Sequence, residues 1–160
     1  MDSLAVIGIL FSLYLAVLGI ETDFVARKFP NKIMVTGLVS ALLIAIIRAL
    51  WFQTWAPVNG FAAGVTFFTL MCGWMSYSKV IGPGDAKAGI ALSGFFGQSG
   101  LLEQFTILVL LCGAVWIGAW FWLEKKGRLP KSQRNRGCPF MLAFFLAGLI
   151  AFLSYLYTYI

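Results

Sequence analysis

Only six of the 160 residues are carboxylates, and two of them stand where a carboxylate could do chemistry. Asp2, Glu21, Glu103 and Glu124 fall at the ends of apolar runs, where a charged head reaches water at little cost. Asp23 follows the first apolar run by less than a turn. Asp85 opens the fourth, directly after Gly82-Pro83-Gly84. A Gly-Pro-Gly break does not continue a helix. Irregular backbone at membrane depth is tolerated only where it lines protein or a wet cavity. Two acids at one depth suit an aspartic dyad. Like charges held close cannot both ionise, so one carboxyl keeps a proton and polarises a carbonyl while the other activates water. The plainer alternative is structural, with Asp85 capping the helix that follows it and Asp23 pairing with Arg27.

The chain contains no histidine, which excludes Ser-His-Asp and Cys-His catalysis and histidine-ligated metals. The three cysteines, Cys72, Cys112 and Cys138, have no C-x-x-C spacing and read as small apolar fillers. Neither a metal nor another cofactor is expected.

Hydropathy sets the elements that must position the two acids. The chain is 61% hydrophobic and 11% charged, against about 45–50% and about 25% in a soluble domain. A soluble monomer cannot hide so much apolar surface, so a soluble enzyme, a secreted disulfide scaffold and a disordered tail are excluded; the natural solvent is a lipid bilayer. Apolar runs cover 4–20, 33–51, 61–77, 88–100, 105–123 and 139–160. Most approach the ~20 residues of a spanning helix. The fourth, with 13 residues, would reach only ~20 Å at ~1.5 Å per residue.

Charge placement decides whether the fourth run crosses. If all six cross, eleven of the twelve Lys and Arg fall on one side and only Arg48 on the other; if the fourth does not, the division is five against seven. The positive-inside rule therefore predicts an all-α, polytopic membrane helix bundle with six transmembrane spans, a single domain over 1–160 with both termini outside. Asp23 and Asp85 then share the cytoplasmic face. The same rule accounts for the net charge of +6 without nucleic acid as a partner. Met1-Asp2-Ser3 has no basic stretch, so the N-terminus reads as a first span rather than a cleaved signal peptide. Trp51, Trp55, Tyr155, Tyr157 and Tyr159 are placed at the outer interface, and Trp120 and Trp122 near the inner one, as aromatic belts.

The run Gly82-Pro83-Gly84-Asp85-Ala86-Lys87 resembles the G-x-G-D-x-K motif of type IV prepilin peptidases. Asp23-Phe24-Val25-Ala26-Arg27-Lys28-Phe29-Pro30-Asn31 resembles the D-x-x-x-R-x-x-P-N segment that follows the first span in that family, and Cys138-Pro139-Phe140 resembles its last-span opening. Order, spacing and topology agree over nearly the whole chain. The resemblance implies a GxGD-type aspartyl protease of a bacterial cytoplasmic membrane that removes the leader peptide of a prepilin or pilin-like substrate, with Asp23 and Asp85 as its catalytic pair. It is to the short form of the family, as in Flp/Tad pilus systems. Longer relatives carry a cytoplasmic insertion with paired C-x-x-C motifs and also N-methylate the product; here only about a dozen residues separate the first two spans, so cleavage without methylation is implied. Preflagellin peptidases share the GxGD logic and stay open. Two other classes also stay open: a small ion or proton transporter using the same acids, and a non-catalytic pilus-assembly component.

The other motif residues have plainer roles. Asn31 suits the N-cap of the second span, and Pro30-Asn31 a turn that fixes the Asp23 loop. Gly82 and Gly84 suit strained backbone that only glycine enters cheaply. Lys87, two residues past Asp85, points to the other side of a regular helix and marks the lipid–water boundary or meets an acid elsewhere. Arg27 orients Asp23 or binds headgroups. Asp85, Gly89, Ser93 and Gly97 form a small-residue stripe at intervals of four. Such a stripe packs against a neighbouring span, or alternatively forms a groove for the substrate helix at Gly89 and Ser93.

Overall fold

The structure is a computed structural model that describes residues 2–26, 29–128 and 140–158, with the main chain alone over 21–26. Among the described residues there are six α-helices and no strand: α1 (Ser3–Ala26), α2 (Asn31–Trp51), α3 (Ala56–Tyr77), α4 (Pro83–Gln98), α5 (Leu102–Lys125) and α6 (Met141–Thr158). All except α4 are long and apolar enough to cross a membrane, which makes the chain a multi-pass membrane protein. Their outward faces carry exposed apolar side chains such as Leu43, Leu50, Leu70 and Val115, the surface a lipid-facing helix presents.

The fourth expected span differs from the other five. α4 has 16 residues, ~24 Å of helix, against a hydrocarbon core of ~30 Å. Thirteen of those residues are buried, so α4 is enclosed by protein rather than by lipid. It touches every other helix. Near its start Lys87 bonds Asn31, the first residue of α2, and at its end Gln98 bonds Arg48 in the last turn of α2. α4 therefore runs parallel to α2 and nearly level with it.

Small residues make this central position possible. In lipid no hydrophobic force drives apolar helices together, and close van der Waals packing must do it. α2 turns Gly37, Ala41, Ala45 and Ala49 inward. α3 and α4 approach through Gly60, Gly64, Ser93 and Gly97: a Cβ on Gly97 would collide with the Gly60 carbonyl, and one on Gly64 with that of Ser93. On the other side of α4 the core is aromatic. Phe96 stacks on Phe105 with centroids 4.1 Å apart, and Phe68, Phe140 and Phe144 continue the cluster.

The helices α2 to α5 end alike, with a left-handed residue and a main-chain bond reaching back five residues: Gln53, Lys79, Gly100 and Gly127 take the positive φ, and Thr54, Val80, Leu101 and Arg128 supply the N–H. Two expected belt residues turn inward instead. Trp120 and Tyr155 are buried, whereas Trp51, Trp55, Trp122 and Tyr157 are exposed; Tyr159 lies outside the described residues.

Candidate active site

The break before α4 is shorter than its Gly-Pro-Gly sequence suggests. Only Gly82 is outside the helix, as its N-cap, and Pro83, Gly84 and Asp85 form the first turn. Proline is accepted at that first position because its missing N–H would have no helical partner there. Asp85 thus sits at the third helical position, where the free N–H groups and the helix dipole favour an anion. It is 2% exposed. Its Oδ2 accepts the Gly82 N–H at 3.2 Å, and its Oδ1 accepts the Phe140 N–H at 3.0 Å, from just before α6. The capping role is therefore real, and it does not preclude a chemical one.

The expectation of strained glycine backbone is corrected. Gly82 has φ −72° and ψ 155°, and Gly84 is helical; neither is left-handed. What favours glycine at 82 is proximity, since a Cβ there would stand 3.2 Å from Asp85 Oδ2. Asn31 is also displaced from its expected role. Pro30 is the N-cap of α2 and Asn31 its first helical residue. The Asn31 Oδ1 instead accepts from Lys87 Nζ at 2.7 Å. Lys87 does point away from Asp85, and its partner is this amide oxygen.

The side chains of Asp23, Arg27 and Lys28 lie outside the described residues, and so does Cys138. The main chain around position 23 is informative. α1 continues to Ala26, so position 23 is one turn beyond Gly19. A Cβ on Gly19 would meet the Met141 side chain and the Phe29 ring. Met141 follows Phe140, whose N–H holds Asp85, and Phe29 is buried beside Pro30-Asn31. The end of α1, the start of α2, the start of α4 and the start of α6 therefore converge at one end of the bundle.

The small-residue stripe rising from Asp85 is filled by the protein itself. A Cβ on Gly89 would stand 2.6 Å from Phe144 and 3.0 Å from Cys72 Sγ, and Ser93 donates to its own helix at Ile90 O. The face expected as a substrate groove at Gly89 and Ser93 is occupied by α3 and Phe144. Cys72, read from the sequence as filler, is buried in the apolar core, with its Sγ beside Gly89, one turn past Asp85. Its position four residues past Phe68 on the buried α3 face is the signal that placed it inward.

The opposite end of the bundle holds a polar cluster that charge counting missed. Asp2 caps α1 through Leu4 N and Ala5 N and accepts Arg48 Nε at 2.6 Å. Arg48 Nη1 also donates to Gln98 Oε1 at 2.7 Å and to the Gln98 main-chain carbonyl. Arg48, expected from charge placement to stand alone on its side of the membrane, thus has an internal partner. Between the two ends, the only fully buried polar side chains among the described residues are Ser12 and Ser93, each bonded within its own helix. Among the described residues no three metal-ligating side chains come together.

Compared with known proteins, the chain matches no family model, no curated protein and no solved structure.

Proposed function

We propose that this chain is a membrane aspartyl endopeptidase of the GxGD kind, which removes the leader peptide of a prepilin at the cytoplasmic face of a bacterial inner membrane. In this reading Asp23 and Asp85 are the catalytic pair. One draws a proton from water as it attacks the scissile carbonyl, and the other donates a proton to the carbonyl oxygen or the leaving amine. All six helices cross, and both termini lie on the periplasmic side. With no insertion carrying C-x-x-C pairs, the product is left unmethylated.

The observation that carries the reading is the meeting of two segments 56 residues apart. Asn31, closing the segment that begins at Asp23, accepts a hydrogen bond from Lys87, closing the segment that contains Asp85. A carboxylate buried at 2% exposure at a helix N-terminus also suits a group that exchanges protons in a water-poor site. An ion conductor is less well supported. Between the acid end and the Asp2–Arg48 end the interior offers only two hydroxyls among the fully buried described residues, each already bonded.

The test is co-expression with candidate prepilins, read as a gel shift on leader loss. Cleavage by the wild type and none by Asp23→Asn or Asp85→Asn is expected. Processing by either variant at normal expression would exclude the proposal.

A further inference from the structure

Phe140 joins the basic stretch 124–137 to α6, and its two halves serve different neighbours. Its N–H donates to Asp85 Oδ1 at 3.0 Å across 55 residues of chain. Its ring is 2% exposed and lies against Gly113 of α5, where a Cβ would collide with ring atoms Cζ and Cε2. The same ring meets Phe144 edge-on, with centroids 5.2 Å apart at 75°. It is a peg in a notch that only glycine leaves open. The donors Gly82 and Phe140, both described main-chain partners of Asp85, differ in origin. That of Gly82 is local and comes with the first turn of α4. That of Phe140 depends on where α6 begins, and the peg sets that.

We infer that Phe140 is a positioning residue for Asp85: seating its ring at Gly113 fixes the start of α6, so that its N–H holds the carboxylate in one rotation. The inference rests on the proposed catalytic role of Asp85. Orientation of a reacting carboxylate is felt in the turnover step rather than in substrate binding.

The experiment uses the full chain in detergent with a purified prepilin, measuring kcat, KM and thermal unfolding for each variant. Gly113→Ala fills the notch, and Phe140→Leu reopens it. Phe140→Ala removes the ring and keeps the N–H, while Phe140→Pro removes both. Gly113→Ala is expected to lower kcat about tenfold with KM changed less than about twofold, since a hydrogen bond to the reacting carboxyl group is the interaction disturbed. Gly113→Ala with Phe140→Leu should recover most of that loss. Phe140→Pro should fall further than Phe140→Ala. Lowered melting temperatures with wild-type kcat in Gly113→Ala and Phe140→Pro would overturn the inference and leave Phe140 as packing alone. If Gly113→Ala does not accumulate, the Phe140→Ala and Phe140→Pro pair decides the same question. Asp85→Asn is run alongside: full cleavage by it removes the premise, whereas its inactivity beside unaffected Phe140 variants rejects only the positioning role.

Discussion

Lys87 Nζ donates to Asn31 Oδ1 at 2.7 Å and so levels the N-terminal part of α4 with the start of α2. The bond is exposed, and exposed polar pairs contribute little stability. Its effect is on register. α4 is too short to be located by the bilayer's thickness, so side-chain ties at its two ends, Lys87 to Asn31 and Gln98 to Arg48, locate it instead.

Breaking the near tie should therefore cost little stability and more activity. Lys87→Met and Asn31→Ala are each expected to destabilise by about 0.5–1 kcal/mol and to slow leader removal. The double variant should be no worse than either single one, because both delete the same bond. A double-mutant cycle on melting temperature and on cleavage rate checks this; additive losses would mean that the two side chains act separately.

Asp85→Asn should lose stability as well as activity. Both carboxylate oxygens accept main-chain N–H groups, and an amide offers one acceptor and places an NH2 against the second donor. The expected cost is about 1–3 kcal/mol. Thermal unfolding in detergent measures it, and an unchanged melting point would show that the two acceptor contacts are not both maintained.

The glycines separate into classes that melting curves should resolve. Gly97→Ala meets the main chain of Gly60, which cannot step aside, and should cost more than Gly89→Ala, which meets the Phe144 ring and the Cys72 thiol. A cost of roughly 1–3 kcal/mol is expected for Gly89→Ala. Gly73 and Gly118 have open space around them, so alanine there should be neutral or stabilise by roughly 0.5–1 kcal/mol.

Topology is checked by single cysteines in a chain with Cys72, Cys112 and Cys138 replaced. Gln98 is unsuitable because it is buried on Arg48; Gln104 and Thr54 are exposed and flank the same end of the bundle. Both should label from outside, and Lys126→Cys only from the cytoplasm. Labelling of Gln104→Cys from the cytoplasm would make α4 a re-entrant helix.

Composition and charge placement by themselves determined much about this protein. Long apolar runs leave the backbone no partner except its own helix, so the all-helical class and five long helices follow from hydropathy alone. The two carboxylates singled out were also visible, because so few acids occur and these two stand in segments that resemble a known motif. Pairwise contact was not legible. That α4 is the central helix follows from small residues on α2 and α3 that look like ordinary lipid-facing glycine and alanine until the facing helix is known. The ties Lys87–Asn31, Phe140–Asp85 and Arg48–Asp2 join residues 56, 55 and 46 positions apart. No local period encodes such distances; they arise only when helices of fixed length pack with their ends level, so the tertiary structure alone decided them.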